Sequence, residues 1–251
     1  FEARPPLVPA DNPTGVYRTT VVVPPDWAGR RIVLHVGGAE SVLHVWVDGR
    51  FVGMGKDSRL PSEFDITEHV RPGTAAVIAC VVVRWSDASY VEDQDHWWMA
   101  GLHRSVFLYS TGRTHVADVA ITAGLADDRR TGTLSVRTEV GFADEPEPGW
   151  RVDAWVEDLR GRRRAVTGEL GGDVPWQVGP YVFTGHVVRR SVTVPDVEPW
   201  SAEAPHLSRL VVALRDPAGA GREGVTQRIG FRSVEGRDRQ LLLNGRATYV
   251  R

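Results

Sequence analysis

Apolar residues fall along the chain in short runs, some alternating with polar residues and some continuous, and Gly, Pro, Asp and Asn punctuate them throughout. No long segment carries apolar positions at i, i+3, i+4 and i+7, so the pattern predicts an all-β protein. Segments 17–23, 31–36, 41–47, 75–84 and 105–109 have strand length and are rich in β-branched residues, and together they predict one sandwich. Val47-Asp48-Gly49-Arg50-Phe51 predicts a hairpin, because Asp-Gly supplies the positive φ angles that a tight two-residue turn demands.

Near 110–114 the pattern relaxes into a polar stretch, which sets the expected boundary between a first domain, 1–112, and a second, 113–232. Segments 116–122, 133–140, 151–158, 183–194, 208–215 and 226–229 then give about seven strands over roughly 120 residues, the size of an immunoglobulin-like sandwich, here without the cysteine pair of antibody domains. Arg160-Gly161-Arg162-Arg163-Arg164 could be read as a basic patch for phosphate or nucleic acid. Gly161 sits where a turn is expected and no aromatic residue interleaves the arginines, which favours a solvated hairpin tip. Residues 240–251 read as two apolar strands around Asn244-Gly245, with the chain ending inside the second. An unpaired apolar strand at a terminus invites aggregation, so this segment is expected to lead into further structure.

Composition narrows the partners. With 251 residues, 42% hydrophobic, 25% charged and a net charge of -2, the chain can build two cores and nominates no nucleic-acid partner. No stretch approaches the roughly 18–20 continuous apolar residues of a membrane-spanning helix, so no membrane partner is expected. Cys80 is the single cysteine and lies in an apolar run, which predicts a small buried hydrophobe and fits a cytoplasmic protein. Lys56 is the only lysine among thirty basic residues.

The densest polar cluster runs from Asp87 to Trp98 and includes Glu92, Asp93, Asp95, His96 and Trp97. Carboxylates beside indoles suit a carbohydrate, because an aromatic face covers the C–H face of a sugar while carboxylates accept from its hydroxyls. A glycosidase pair drawn from Glu92, Asp93 and Asp95 is disfavoured, since the retaining mechanism needs two carboxylates converging from separate segments about 5 to 5.5 Å apart. Asp93 and Asp95 could offer oxygens to a hard cation with ligands from elsewhere. The plain alternative is a polar loop with Trp97 and Trp98 packed into the core. His35 and His44 lie on strands, His96 and His103 flank the loop, and none has a partner at zinc spacing. Ser58 and Ser89 lack a nucleophile-elbow context, and no glycine-rich phosphate loop is present.

Several blocks resemble, in order, the family 2 glycoside hydrolases of the bacterial β-galactosidase type. Asp11-Asn12-Pro13-Thr14-Gly15 resembles that family's entry into its jelly roll, and the block from Gly55 to Asp65 its most recognisable internal motif. Arg84-Trp85-Ser86-Asp87, Glu92-Asp93-Gln94-Asp95 and the stretch from Trp97 to Arg104 resemble the loop that reaches the active site. Trp200 to Pro205, Gly230-Phe231-Arg232 and Leu242-Leu243-Asn244-Gly245 resemble the approach to the catalytic barrel.

The resemblance implies a jelly-roll, galactose-binding-like β-sandwich followed by an immunoglobulin-like β-sandwich, with 233–251 as the start of the barrel region. It implies the non-catalytic N-terminal part of an enzyme that hydrolyses terminal β-galactosides such as lactose with retention. In the family the catalytic glutamates and magnesium ligands fall beyond the position of Arg251. No catalytic residue and no cofactor are therefore assigned here, while Mg and Na are implied for the full-length enzyme. Asp95 alone carries over, as the aspartate that binds galactose and ligates a monovalent cation, the latter only together with the barrel. His96-Trp97-Trp98-Met99-Ala100 departs slightly from the pattern, which bears on the shape of the subsite. The implied setting is a cytoplasmic homo-oligomer with a β-galactoside substrate. Two alternatives stand beside it: a stand-alone carbohydrate-binding module using Trp97 and Trp98, and a family 2 β-glucuronidase or β-mannosidase.

Overall fold

Short runs of β-branched residues become strands throughout the computed structural model, which describes residues 4–92, 95, 97–177 and 185–248. The chain divides into two compact units, Phe1–Thr111 and Gly112–Arg251. In the first, the strands are β1 (Thr14–Val22), β2 (Arg31–Val36), β3 (Ala39–Glu40), β4 (Val42–Val47), β5 (Arg50–Gly55), β6 (Ser62–Asp65) and β7 (Ala75–Val83). A single helical turn, α1 (Ala88–Val91), follows, and then β8 (Gly101–Leu102) and β9 (Val106–Thr111).

Sheet β1-β7-β4-β5 and sheet β6-β2-β9 are each antiparallel, and β3 pairs with β8. Alternation along β7 turns Ala76, Ile78, Cys80 and Val82 inward, where they join Ile32, Leu34, Val36, Leu43, Val45 and Ile66 in one core. This is the sandwich that the period-2 pattern predicts. The Asp48-Gly49 turn has φ of 47° and 77°, as the tight hairpin requires. Its register shifts between Val45 and Trp46, so the hairpin carries a bulge that the turn signal alone does not predict.

In the second unit the strands are β10 (Thr114–Leu125), β11 (Gly132–Phe142), β12 (Arg151–Glu157), β13 (Gly172–Asp173), β14 (Val187–Val194), β15 (Ser208–Arg215) and β16 (Gly221–Ile229). They form sheets β10-β11-β14 and β13-β12-β15-β16. Leu134, Val136, Val152, Val156, Val194, Leu210, Leu214 and Phe231 fill the space between them, so packing without a disulfide holds this sandwich together. The strand expected over 183–194 starts only at Val187, with Gly185 before it at a φ of 77°, while 183 and 184 lie outside the described residues. Conversely, the strand expected at 226–229 extends back to Gly221.

The arginine run is a turn, as its glycine implies. Gly161 has a φ of 83°, and Asp158 accepts from the backbone N–H groups of Arg160 and Arg162 at 2.9 and 3.0 Å. Beyond the sandwich, β17 (Val234–Arg237), β18 (Gln240–Leu243) and β19 (Arg246–Thr248) form a meander. Asn244 secures it, its side-chain oxygen accepting from the Ser233 N–H at 3.0 Å and its amide donating to the Trp200 carbonyl at 2.9 Å. Only the second turn of the meander is announced by Asn-Gly. The first is Asp238-Arg239, and β17 is absent from the sequence reading because all four of its residues are exposed and show no alternation.

Candidate functional site

Blocks far apart in sequence meet around the segment that carries Asp95. Asn12 holds residue 85 on both sides: its amide donates to the Trp85 carbonyl at 2.9 Å, and its side-chain oxygen accepts from the Trp85 N–H at 2.8 Å. Beside it, the Arg84 N–H donates to the Pro13 carbonyl at 3.1 Å. The Asn-Pro dipeptide thus extends the edge of the sheet past the end of β7, satisfying backbone groups that would otherwise be left without partners.

Asp87 opens α1, its carboxylate accepting from the Ala88 N–H at 3.1 Å. It also pairs with Lys56, and the hydrogen bond from that ammonium is the first cause holding the Asp87 carboxyl below its ordinary value. The helical turn closes at Glu92, whose N–H donates to the Ala88 carbonyl at 2.8 Å. The Glu92 carboxylate then accepts twice from Ser58, at 2.8 Å from its backbone N–H and at 2.5 Å from its hydroxyl. Ser58 is only 1% exposed, so both donors are withdrawn from water and matched by one ionised acceptor.

Ser58 is fixed in turn. His103 Nε2 lies 2.8 Å from the Ser58 carbonyl oxygen, and Arg104 donates to the Arg59 carbonyl at 2.8 Å. The His103 ring occupies the space over Gly38, where an added Cβ would stand 2.5 Å from the ring carbon Cε1, so a side chain at residue 38 would displace it. Buried Glu40 faces Arg59, and its carboxylate also lies 3.4 Å from the Ala100 N–H, near the far end of the segment.

Downstream of Asp95, Trp98 is half-buried. Its ring meets Trp85 edge to face with centroids 5.1 Å apart, and its carbonyl accepts from Arg84 at 3.3 Å. The Arg84 guanidinium lies 4.7 Å over the Trp85 ring. Trp97 is 84% exposed, which removes it from the core packing considered as the plain alternative.

Asp95 itself is exposed. Asp93, Gln94 and His96, also named from sequence, lie outside the described residues. Glu92 is committed to the fold through Ser58, which donates one hydrogen bond to each of its oxygens. Among the described residues no group of three His, Cys, Asp or Glu side chains could hold a metal ion. Asp95 alone does not fit a sodium or magnesium site, since either ion takes about six oxygens. Sequence reasoning missed Ser58, which it weighed only as a nucleophile, and Arg84. Their signal was membership of the conspicuous blocks, without the pairing.

Residues 2–112 match the sugar-binding domain of the glycosyl hydrolases family 2, and residues 114–232 match a second domain described by that family's name. A β-galactosidase of Alteromonas mediterranea is 38% identical over the whole of this chain, which covers 23% of that protein. Another, from Pectobacterium atrosepticum, is 39% identical over 98% of the chain and 24% of its own length. The chain therefore spans about a quarter of the length of these curated relatives. Among solved structures, a family 2 glycosyl hydrolase from Bacteroides cellulosilyticus aligns with a TM-score of 0.74 at 20% identity, covering 93% of this chain and 29% of that one. A Bifidobacterium dentium β-glucuronidase complexed with coumarin-3-O-glucuronide aligns at 0.75 and 22%, covering 93% and 42%. Both likenesses concern the fold.

Proposed function

The chain belongs to glycosyl hydrolase family 2, and from that premise we propose that it is the non-catalytic N-terminal part of a β-galactosidase, supplying the Asp95 loop to an active site built elsewhere in the enzyme. The observation that carries this reading is the end-to-end similarity to curated β-galactosidases, at 38% and 39% identity, combined with a loop held on both flanks of an exposed carboxylate. Asp95 accepts hydrogen bonds from hydroxyls of the terminal galactose, and each such bond to a charged group contributes about 1.5–3 kcal/mol. In the complete enzyme it also gives one oxygen to a sodium ion whose other ligands, like those of magnesium, come from outside this chain. The reading takes the enzyme as a cytoplasmic homo-oligomer that cleaves small β-galactosides with retention.

The test is hydrolysis of a chromogenic β-galactoside by the full-length enzyme, by its Asp95→Ala variant and by the 251-residue chain alone. We expect Asp95→Ala to lower kcat/KM by about 10- to 150-fold, the loss of one charge-assisted bond. The isolated chain should release no sugar above a buffer control. Activity in the isolated chain that Asp95→Ala removes would sink the proposal. The 84% exposure of Trp97 favours a second reading, a stand-alone sugar-binding module. Glycan titration of the isolated chain separates the two, because only the module predicts dissociation constants below millimolar.

A further inference from the structure

Asp95 stands three residues after Glu92 and three before Trp98, and each of those residues is tied to a partner from a different block of the first unit. On the upstream side, Glu92 is gripped by the N–H and hydroxyl of buried Ser58, from the block after β5. On the downstream side, Trp98 is held by Arg84 and Trp85, immediately after β7. Three residues of extended chain reach at most about 11 Å, so Asp95 stays within that distance of both anchored residues. The upstream post is the stronger, being an ionised acceptor matched to two donors of one buried residue. Ser58 is immobilised by His103, and the neighbouring Arg59 by Arg104 and Glu40.

We propose that Glu92 is a positioning residue for the Asp95 subsite: its carboxylate, locked to Ser58, sets where Asp95 is presented to sugar. The proposal rests on the reading of Asp95 as a galactose ligand. Glu92 touches no sugar and acts only through the loop. Glu92→Gln keeps the side-chain shape but removes the charge: its oxygen still accepts from the Ser58 N–H, while its amide must donate to the Ser58 hydroxyl and reverse that bond, so the charge-assisted grip is weakened.

In the full-length enzyme we expect Glu92→Gln to lower kcat/KM for a chromogenic galactoside by about ten- to hundredfold, the scale of an ångström-sized misplacement. Adding it to Asp95→Asn should cost nothing further, because the residue it positions is already disabled. Hydrogen exchange of the 251-residue chain should quicken around the loop in Glu92→Gln and stay unchanged in the core strands. A loss that multiplies with that of Asp95→Asn would show that Glu92 acts independently of Asp95 and would overturn the proposal. Full activity in Glu92→Gln alongside impaired Asp95→Asn would also overturn it, while leaving the functional reading intact. If Asp95→Asn loses nothing, the functional reading fails and the proposal falls with it. Should Glu92→Gln melt well below the parent protein, Ser58→Ala, which removes only the hydroxyl donor, carries the same comparison.

Discussion

Cys80 is 3% exposed on the inward face of β7, and burial pushes its thiol above the ordinary value. Because the thiolate is the reactive form, a thiol reagent should leave the native protein untouched and modify Cys80 only after denaturant unfolds the first sandwich, which absorbance of a colorimetric disulfide reagent measures. Rapid labelling of native protein would contradict this packing. The burial of Cys80 was legible because its neighbours are apolar on both sides. The state of Glu92 was not, since its partner Ser58 lies 34 residues away and nothing local distinguishes a gripped carboxylate from a free one. Asp95 was singled out through the resemblance of its block, whereas spacing alone left three carboxylates equivalent.

Within the second sandwich, β12 and its neighbours carry a charged ladder on their outer face. Arg151 reaches Asp173 on β13, Glu169 and Asp153, and Asp153 also pairs with Arg215 on β15. The hydrogen bond from Arg215 is the first cause holding the Asp153 carboxyl below its ordinary value; burial opposes it and the bond from Arg151 adds to it. A carboxyl lowered in the folded state adds stability above its unfolded value, about 3.9, and that contribution is lost as pH falls through the folded value. Asp153→Asn should therefore cost up to about 1 kcal/mol at pH 7, as expected for a partly exposed pair. The difference in urea midpoint from the parent protein should shrink below about pH 4; a gap independent of pH would refute the assignment. Elements with alternation, such as β7 and β15, were legible because one face is buried. Strand β17 was hidden because pairing with β18, rather than burial, makes it a strand.

At the scale of the molecule, each sandwich has its own core, one around Leu34 and one around Leu210, both fully buried. Leu34→Ala and Leu210→Ala should each cost about 2–5 kcal/mol, and each should act on the core that contains it. Calorimetry of the two variants, with Cys80 labelling as reporter of the first sandwich, checks this; equal sensitivity of Cys80 to both substitutions would argue for one cooperative unit. The two-core architecture was legible from chain length and the polar stretch between the strand sets, while the meander's anchorage to Trp200 depends on Asn244 contacts 44 residues apart. The ion pair between Lys56 and Asp87 has a practical corollary. Since the chain has a single lysine, an amine-reactive fluorophore attaches at the foot of the Asp95 loop and otherwise only at the α-amino terminus. The 251-residue chain thus offers its own attachment point for an optical reporter of the conformation of this loop, without any engineered cysteine.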